Sequence, residues 1–203
     1  MLTKEQLNIL SVYSQDIFVK LTFKQIKEKS SQKSNNVVQI ALKEFLSQNL
    51  VLPDKIGDVT IYSLNFDNNM TLSYLNLINE QTLLSKKIPK TILQDIKNRI
   101  FKHTEFFTLI VFGSYAKNKT TKNSDLDIAL IVESEQTKKE IIPFIETIKR
   151  RETITIDYHV FTRTEFLEMQ NVDVENLGKQ IYKNNLIYYG FIEYCNLIRG
   201  LKR

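Results

Sequence analysis

The chain is poor in the residues that staple or punctuate a fold. Its 203 residues include one cysteine, five glycines and three prolines. A single thiol excludes an internal disulfide and any cysteine-based zinc site. Cys195 lies in an aromatic, helix-like stretch and is expected to fill core. No apolar run approaches the roughly 20 residues of a membrane span. The opening Met1-Leu2-Thr3-Lys4-Glu5 lacks the basic and apolar regions of a secretory leader. A cytoplasmic location with no membrane partner is therefore expected. There is no internal repeat and no low-complexity linker. A hydrophobic fraction of 42% and a charged fraction of 25% are ordinary for a globular protein. The length suits one large domain or two small ones. The net charge of +5 permits a polyanionic partner without requiring one. Asparagine and lysine are abundant throughout, so single surface lysines carry little weight.

The most informative stretch is Phe112-Gly113-Ser114-Tyr115-Ala116-Lys117, followed closely by Ser124-Asp125-Leu126-Asp127. It lies between two strand-like apolar runs, Phe107–Phe112 and Ile128–Val132. A Gly-Ser pair where a strand turns into a helix presents backbone N–H groups and a hydroxyl to a phosphate. The Asp-x-Asp opens the next strand. Its alternation points Asp125 and Asp127 to one side, about 7 Å apart along the backbone. Two carboxylates beside a phosphate cradle repel each other unless a cation joins them. Mg²⁺ suits the place, because it takes hard oxygen ligands and shares them with substrate phosphates.

These residues resemble the signature of the minimal nucleotidyltransferases of the DNA polymerase β superfamily. That signature reads Gly-Ser-x-Ala-(Arg/Lys)-Gly, a short loop, then Ser-Asp-x-Asp. Asn118 departs from it by replacing the second glycine. Asparagine is the residue other than glycine that best tolerates a left-handed backbone, so the turn is expected to survive. The resemblance covers residues 106–190. It includes a weaker likeness from Asn176 to Gly190 to the tail that packs beside the nucleotide cleft. It implies a small mixed β-sheet with helices, two Mg²⁺ ions and a nucleoside triphosphate substrate, ATP being expected. Gly113, Ser114 and Ser124 would lie at the phosphates. Lys117 reads either as a phosphate clamp or as a solvated loop lysine.

The family needs a third carboxylate on a later strand. Residues 153–160 alternate strictly, with Ile154, Ile156, Tyr158 and Val160 on one face and Thr153, Thr155, Asp157 and His159 on the other. An aspartate inside a β-branched run is unfavourable unless it faces water or has a task. With the upstream pair in view, Asp157 is assigned as the third metal-site carboxylate. By resemblance it binds the metal that activates the acceptor hydroxyl. Catalysis and metal binding are thus assigned to Asp125, Asp127 and Asp157. His159 shares the face of Asp157 and reads as solvated or as touching substrate.

Residues 1–66 read as a separate unit. Thr3 caps a helix carrying Leu7 and Leu10, and Leu21–Lys29 is a second helix. Ser34 caps a third, in which Val38, Ala41, Leu42 and Phe45 form one face. Leu50–Leu52, a turn over Pro53–Asp58 and Val59–Leu64 make a hairpin. Three helices followed by a hairpin resemble a winged helix-turn-helix domain. Asn35, Asn36, Gln39 and Lys43 on the polar face of the third helix suit base edges, and Lys29 and Lys33 suit phosphates. The same fold also docks proteins, and both readings stand.

Residues 67–102 read as a helical bridge with Leu72, Leu75, Leu77 and Ile78 inward, then Pro89 opening a helix. Residues 103–203 read as the transferase domain with C-terminal helices. Within it, a helix over Thr137–Arg151 should kink or restart at Pro143, Thr164 should cap a short helix, and Glu175–Lys183 should form another. The class is α+β. The expected function is Mg²⁺-dependent transfer of an NMP to an acceptor hydroxyl. By analogy with antitoxin-type relatives, the acceptor could be a protein such as a HEPN-type toxin. The alternative is a transcriptional regulator or antitoxin-like protein whose transferase domain only binds nucleotide or partner.

Overall fold

The computed structural model describes residues 1–121 and 124–202. The chain forms two compact units, Met1–Gln81 and Thr82–Arg203. Its composition is α+β throughout, with one small sheet in each unit.

The first unit holds α1 (Lys4–Leu10), β1 (Leu21–Thr22), α2 (Phe23–Lys29), α3 (Asn35–Ser47), β2 (Val51–Ile56), β3 (Val59–Leu64) and the start of α4 (Asn69–Ser85). Two of these helices start at a reciprocal cap. Thr3 accepts from the Gln6 N–H while the Gln6 side chain returns to Thr3, and Thr22 and Gln25 repeat the pattern. That second cap corrects the expected helix over Leu21–Lys29. Leu21 and Thr22 are extended and pair with Tyr62 and Ile61, so the helix begins only at Phe23. Val38, Ala41, Leu42 and Phe45 are all buried on α3, as their spacing predicts. Ser34 precedes α3 but makes no side-chain cap bond.

The hairpin is tighter than expected. Pro53 to Ile56 belong to β2, and only Gly57 and Asp58 turn the chain. Gly57 has φ +59, which a two-residue hairpin turn asks of glycine. Pro53 is tolerated because the strand order β1-β3-β2 leaves β2 at the edge. On α4, Leu72, Leu75 and Ile78 are buried, whereas Leu77 is exposed.

The second unit runs α5 (Lys90–Ile100), β4 (Phe107–Val111), α6 (Gly113–Ala116), β5 (Leu126–Val132), α7 (Glu135–Arg151), β6 (Ile156–Thr162), α8 (Arg163–Asn171), α9 (Leu177–Lys183), β7 (Leu186–Tyr189) and α10 (Phe191–Arg199). The sheet order is β6-β5-β4-β7. β5 and β6 are parallel, joined through α7, and the other two pairings are antiparallel. Alternation sends Leu126, Ile128, Leu130 and Val132 into a core shared with Leu93, Ile96 and Ile100 of α5 and Ile141, Ile145 and Ile148 of α7. Asp127, Ala129 and Ile131 therefore face the opposite side. On that side Phe166 of α8 lies between Phe161 and Tyr194 of α10. Cys195 is buried there too, and burial pushes its thiol up to about 12.

Several boundaries differ from the sequence pattern. α7 starts early, at Glu135, because Ser134 accepts from the Thr137 N–H, and it continues through Pro143. Thr162 rather than Thr164 caps α8, since Glu165 lies three residues after Thr162 whereas Leu167 follows Thr164 at that spacing. α9 begins at Leu177 behind an Asn176 cap. Leu186–Tyr189, read only as part of a tail, is a strand that completes the sheet beside β4.

Candidate active site

One end of the second sheet gathers the motif residues. Phe112 leaves β4 extended, and its N–H donates to the Asp127 carbonyl at 3.0 Å. Gly113 then takes φ +63, a conformation that L side chains rarely adopt. A β-carbon at Gly113 would lie 1.8 Å from the Asp127 Oδ2. Glycine is required here both for its backbone and for the carboxylate seated against it.

The single turn of α6 ends as the sequence anticipates. Asn118 has φ 54. Its N–H donates to the Tyr115 carbonyl at 3.4 Å, and the Lys119 N–H donates to that of Ser114 at 3.0 Å. This is a Schellman closure with asparagine in the left-handed position. Lys117 sits at the C-cap with its side chain exposed. Tyr115 leans against the apolar core, and burial raises its phenol. Ser124 closes the loop into β5. Its Oγ accepts from the Thr121 N–H at 2.8 Å, and the Thr121 carbonyl accepts from its N–H at 3.2 Å.

Asp125 lies just ahead of β5 and is exposed, while Asp127 is half-buried within the strand. The expected strand over 153–160 begins only at Ile156, which leaves Thr153 and Thr155 before it. The parallel register then sets Asp157 directly beside Asp127, where neighbouring strands are about 4.8 Å apart. His159 Nε2 is 3.6 Å from Asp157 Oδ2. Its ring stands 6.2 Å from that of Phe112 and 6.1 Å from that of Phe161. Phe112 and His159 stand out in the sequence pattern, whereas Phe161 does not. The same two-residue alternation that places Asp157 was the signal for Phe161.

The electrostatics follow from this crowding. Burial raises the Asp127 carboxyl above the ordinary range, and the negative charge of Asp157 pushes it further. The Ser114 backbone N–H opposes them by bonding the charged form, while Asp125 adds repulsion and His159 a small attraction. Ser114 Oγ is shut off from solvent and has no partner among the described residues. A buried hydroxyl without a partner costs about 1–3 kcal/mol, which an incoming oxygen ligand would recover.

This donor set fits a hard divalent cation shared with phosphate oxygens. Among the described residues, no three His, Cys, Asp or Glu side chains close into a ready-made metal cage. Mutually repelling carboxylates without a cation have reason to stand apart.

The DNA-contact candidates lie in the first unit. Asn35, Asn36, Gln39 and Lys43 are exposed on α3, and Lys29 and Lys33 are exposed before it. Asn35 accepts from Lys27 Nζ at 2.6 Å.

Residues 94–189 match the family described as polymerase beta, nucleotidyltransferase. The match takes in most of α5, the whole four-stranded sheet and all three aspartates. No curated protein and no solved structure matches the chain. No helix among the described residues is long and apolar enough to cross a membrane.

Proposed function

We propose that this chain, whose residues 94–189 match the nucleotidyltransferase family, moves AMP from ATP to an acceptor hydroxyl, with pyrophosphate as the leaving group. The observation that carries the reading is the register of Asp127 against Asp157, beside the buried and unpartnered hydroxyl of Ser114. Asp125, Asp127 and Asp157 would hold two Mg²⁺ ions, which supply Lewis acidity at the α-phosphate and ease ionisation of the acceptor. Ser114 offers its hydroxyl to non-bridging phosphate oxygens, and Gly113 lets the phosphate chain approach the backbone. Lys117 adds charge at the mouth of the loop. Asp157, the more exposed of the β-strand carboxylates, takes the acceptor proton as the acceptor oxygen bonds to the α-phosphorus and the pyrophosphate oxygen departs. The acceptor class proposed is a protein side chain, on the antitoxin-type analogy alone.

The first unit supports a winged-helix reading. It has three helices, a short strand between the first two, and an edge hairpin. In this proposal α3 presents Asn35, Asn36, Gln39 and Lys43 to DNA bases, with Lys29 and Lys33 at phosphates.

The test incubates the full chain with Mg²⁺, a cell lysate and ATP labelled at either the α- or the γ-phosphate. Label is expected on protein from the α-position only. Transfer from the γ-position, or none from either, would sink the proposal.

A further inference from the structure

Lys86 lies outside the motif segment, between α4 and α5. Its backbone is anchored, with its N–H bonded to the Thr82 carbonyl at 3.2 Å. Its side chain is half-buried, yet among the described residues the ammonium makes a single long contact, 3.5 Å to the Ala116 carbonyl. No carboxylate lies within ion-pair distance of it among the described residues. Lys138, also partly covered, is by contrast paired with Glu165 at 2.7 Å. An ammonium has three donors, and burying it without an anion is unfavourable. A contact at 3.5 Å is at the outer limit of a hydrogen bond and does little to offset that cost.

The position of this underused cation gives it a task. Ala116 ends α6, a single turn about 6 Å long. The ammonium is thus within one side-chain swing of Ser114, whose buried hydroxyl also lacks a partner. A weakly bonded cation at one end of α6 and an unpartnered hydroxyl within it are complementary to one polyanionic chain. We propose that Lys86 binds the β- and γ-phosphates of the nucleoside triphosphate, exchanging its weak carbonyl contact for charge-assisted bonds to the leaving group. This rests on the nucleotidyltransferase site proposed above. It adds a phosphate-binding residue that the motif does not contain.

The experiment measures equilibrium binding of ATP and of AMP to the full chain by calorimetry, with Ca²⁺ as a divalent ion slow to support chemistry. Lys86→Met keeps the apolar stem and removes the ammonium, and Lys86→Arg keeps the charge. Lys90→Met serves as the control, because Lys90 also contacts only a carbonyl, that of Leu84 at 3.2 Å. Lys86→Met is expected to weaken ATP binding about tenfold, as loss of one charge-assisted contact would. AMP binding and the melting temperature should be unchanged, Lys86→Arg should restore most of the affinity, and Lys90→Met should match the wild type. If Lys86→Met binds ATP as the wild type does, this inference falls alone. It falls equally if the variant loses melting temperature and both affinities together, which would make Lys86 a cap for α6. A wild-type chain that binds no ATP overturns the site proposal itself, and this inference with it.

Discussion

At Gly113 the Asp127 carboxylate occupies the space a β-carbon would need, at 1.8 Å. Gly113→Ala must therefore both displace Asp127 and hold alanine at φ +63, which costs about 1–2 kcal/mol in backbone terms alone. Urea unfolding should show at least that loss, and the rise in melting temperature expected of the wild type with Mg²⁺ should be missing in the variant. Removing the charge instead of the glycine should act in the opposite direction. The Asp127 carboxyl is raised first by burial and then by Asp157. A carboxyl whose folded value exceeds its unfolded value contributes stability below the unfolded value, about pH 4, and loses it as pH climbs through the folded one. Asp125→Asn with Asp127→Asn removes that loss. The metal-free double variant should be no less stable than the wild type at pH 7, with its relative advantage vanishing near pH 4, while Mg²⁺-dependent transfer disappears. A melting temperature well below wild type at pH 7 would make these two residues structural.

Three helix starts in this chain are set by Thr-x-x-(Gln/Glu) pairs, at Thr3, Thr22 and Thr162. Glu165 has a second task there. Lys138 bonds both of its oxygens, at 2.7 and 2.8 Å, and holds the carboxyl below its ordinary value. Its contribution is therefore present above the unfolded carboxylate range and is lost as pH falls through the lowered folded value. Glu165→Gln keeps the reciprocal cap but gives up the ion pair. With the pair part-exposed and screened, the loss at pH 7 should be about 0.5–1 kcal/mol, shrinking to nothing in acid, as a pH series of thermal melts would show. These pairs also explain what the sequence could and could not disclose. The buried face of α3, the two motif strands and the left-handed turn at Asn118 were legible because each depends on residues close in sequence. β1 and β7 were not. Two residues such as Leu21 and Thr22 carry no period, and Leu186–Tyr189 is a strand only because β4 offers it an edge. Nor could alternation alone reveal that Asp157 stands directly opposite Asp127, since that register is fixed by the packing of α7.

Each of the two units, Met1–Gln81 and Thr82–Arg203, has its own buried core. Claims about DNA and about transfer are therefore separable. If α3 reads DNA, Asn36→Ala and Gln39→Ala in the full chain should cost about 1–3 kcal/mol each and relax sequence preference. Lys29→Ala and Lys33→Ala should weaken all duplexes alike and lower the salt slope by about one unit each. Titration with AT-rich duplex across a salt series measures both. Binding that is absent at low salt, or indifferent to salt, would favour a protein-docking surface and leave the transferase reading intact. The sheet of the second unit has a different consequence. All five residues of β4 are buried, and β4 is flanked by β5 on one side and by β7 on the other. On the ribosome β4 emerges long before β7. Until the tail arrives, one side of an apolar strand stands open to any other nascent strand. A chain terminated before Leu186 should therefore collect in the insoluble fraction, even though it retains every residue of the motif.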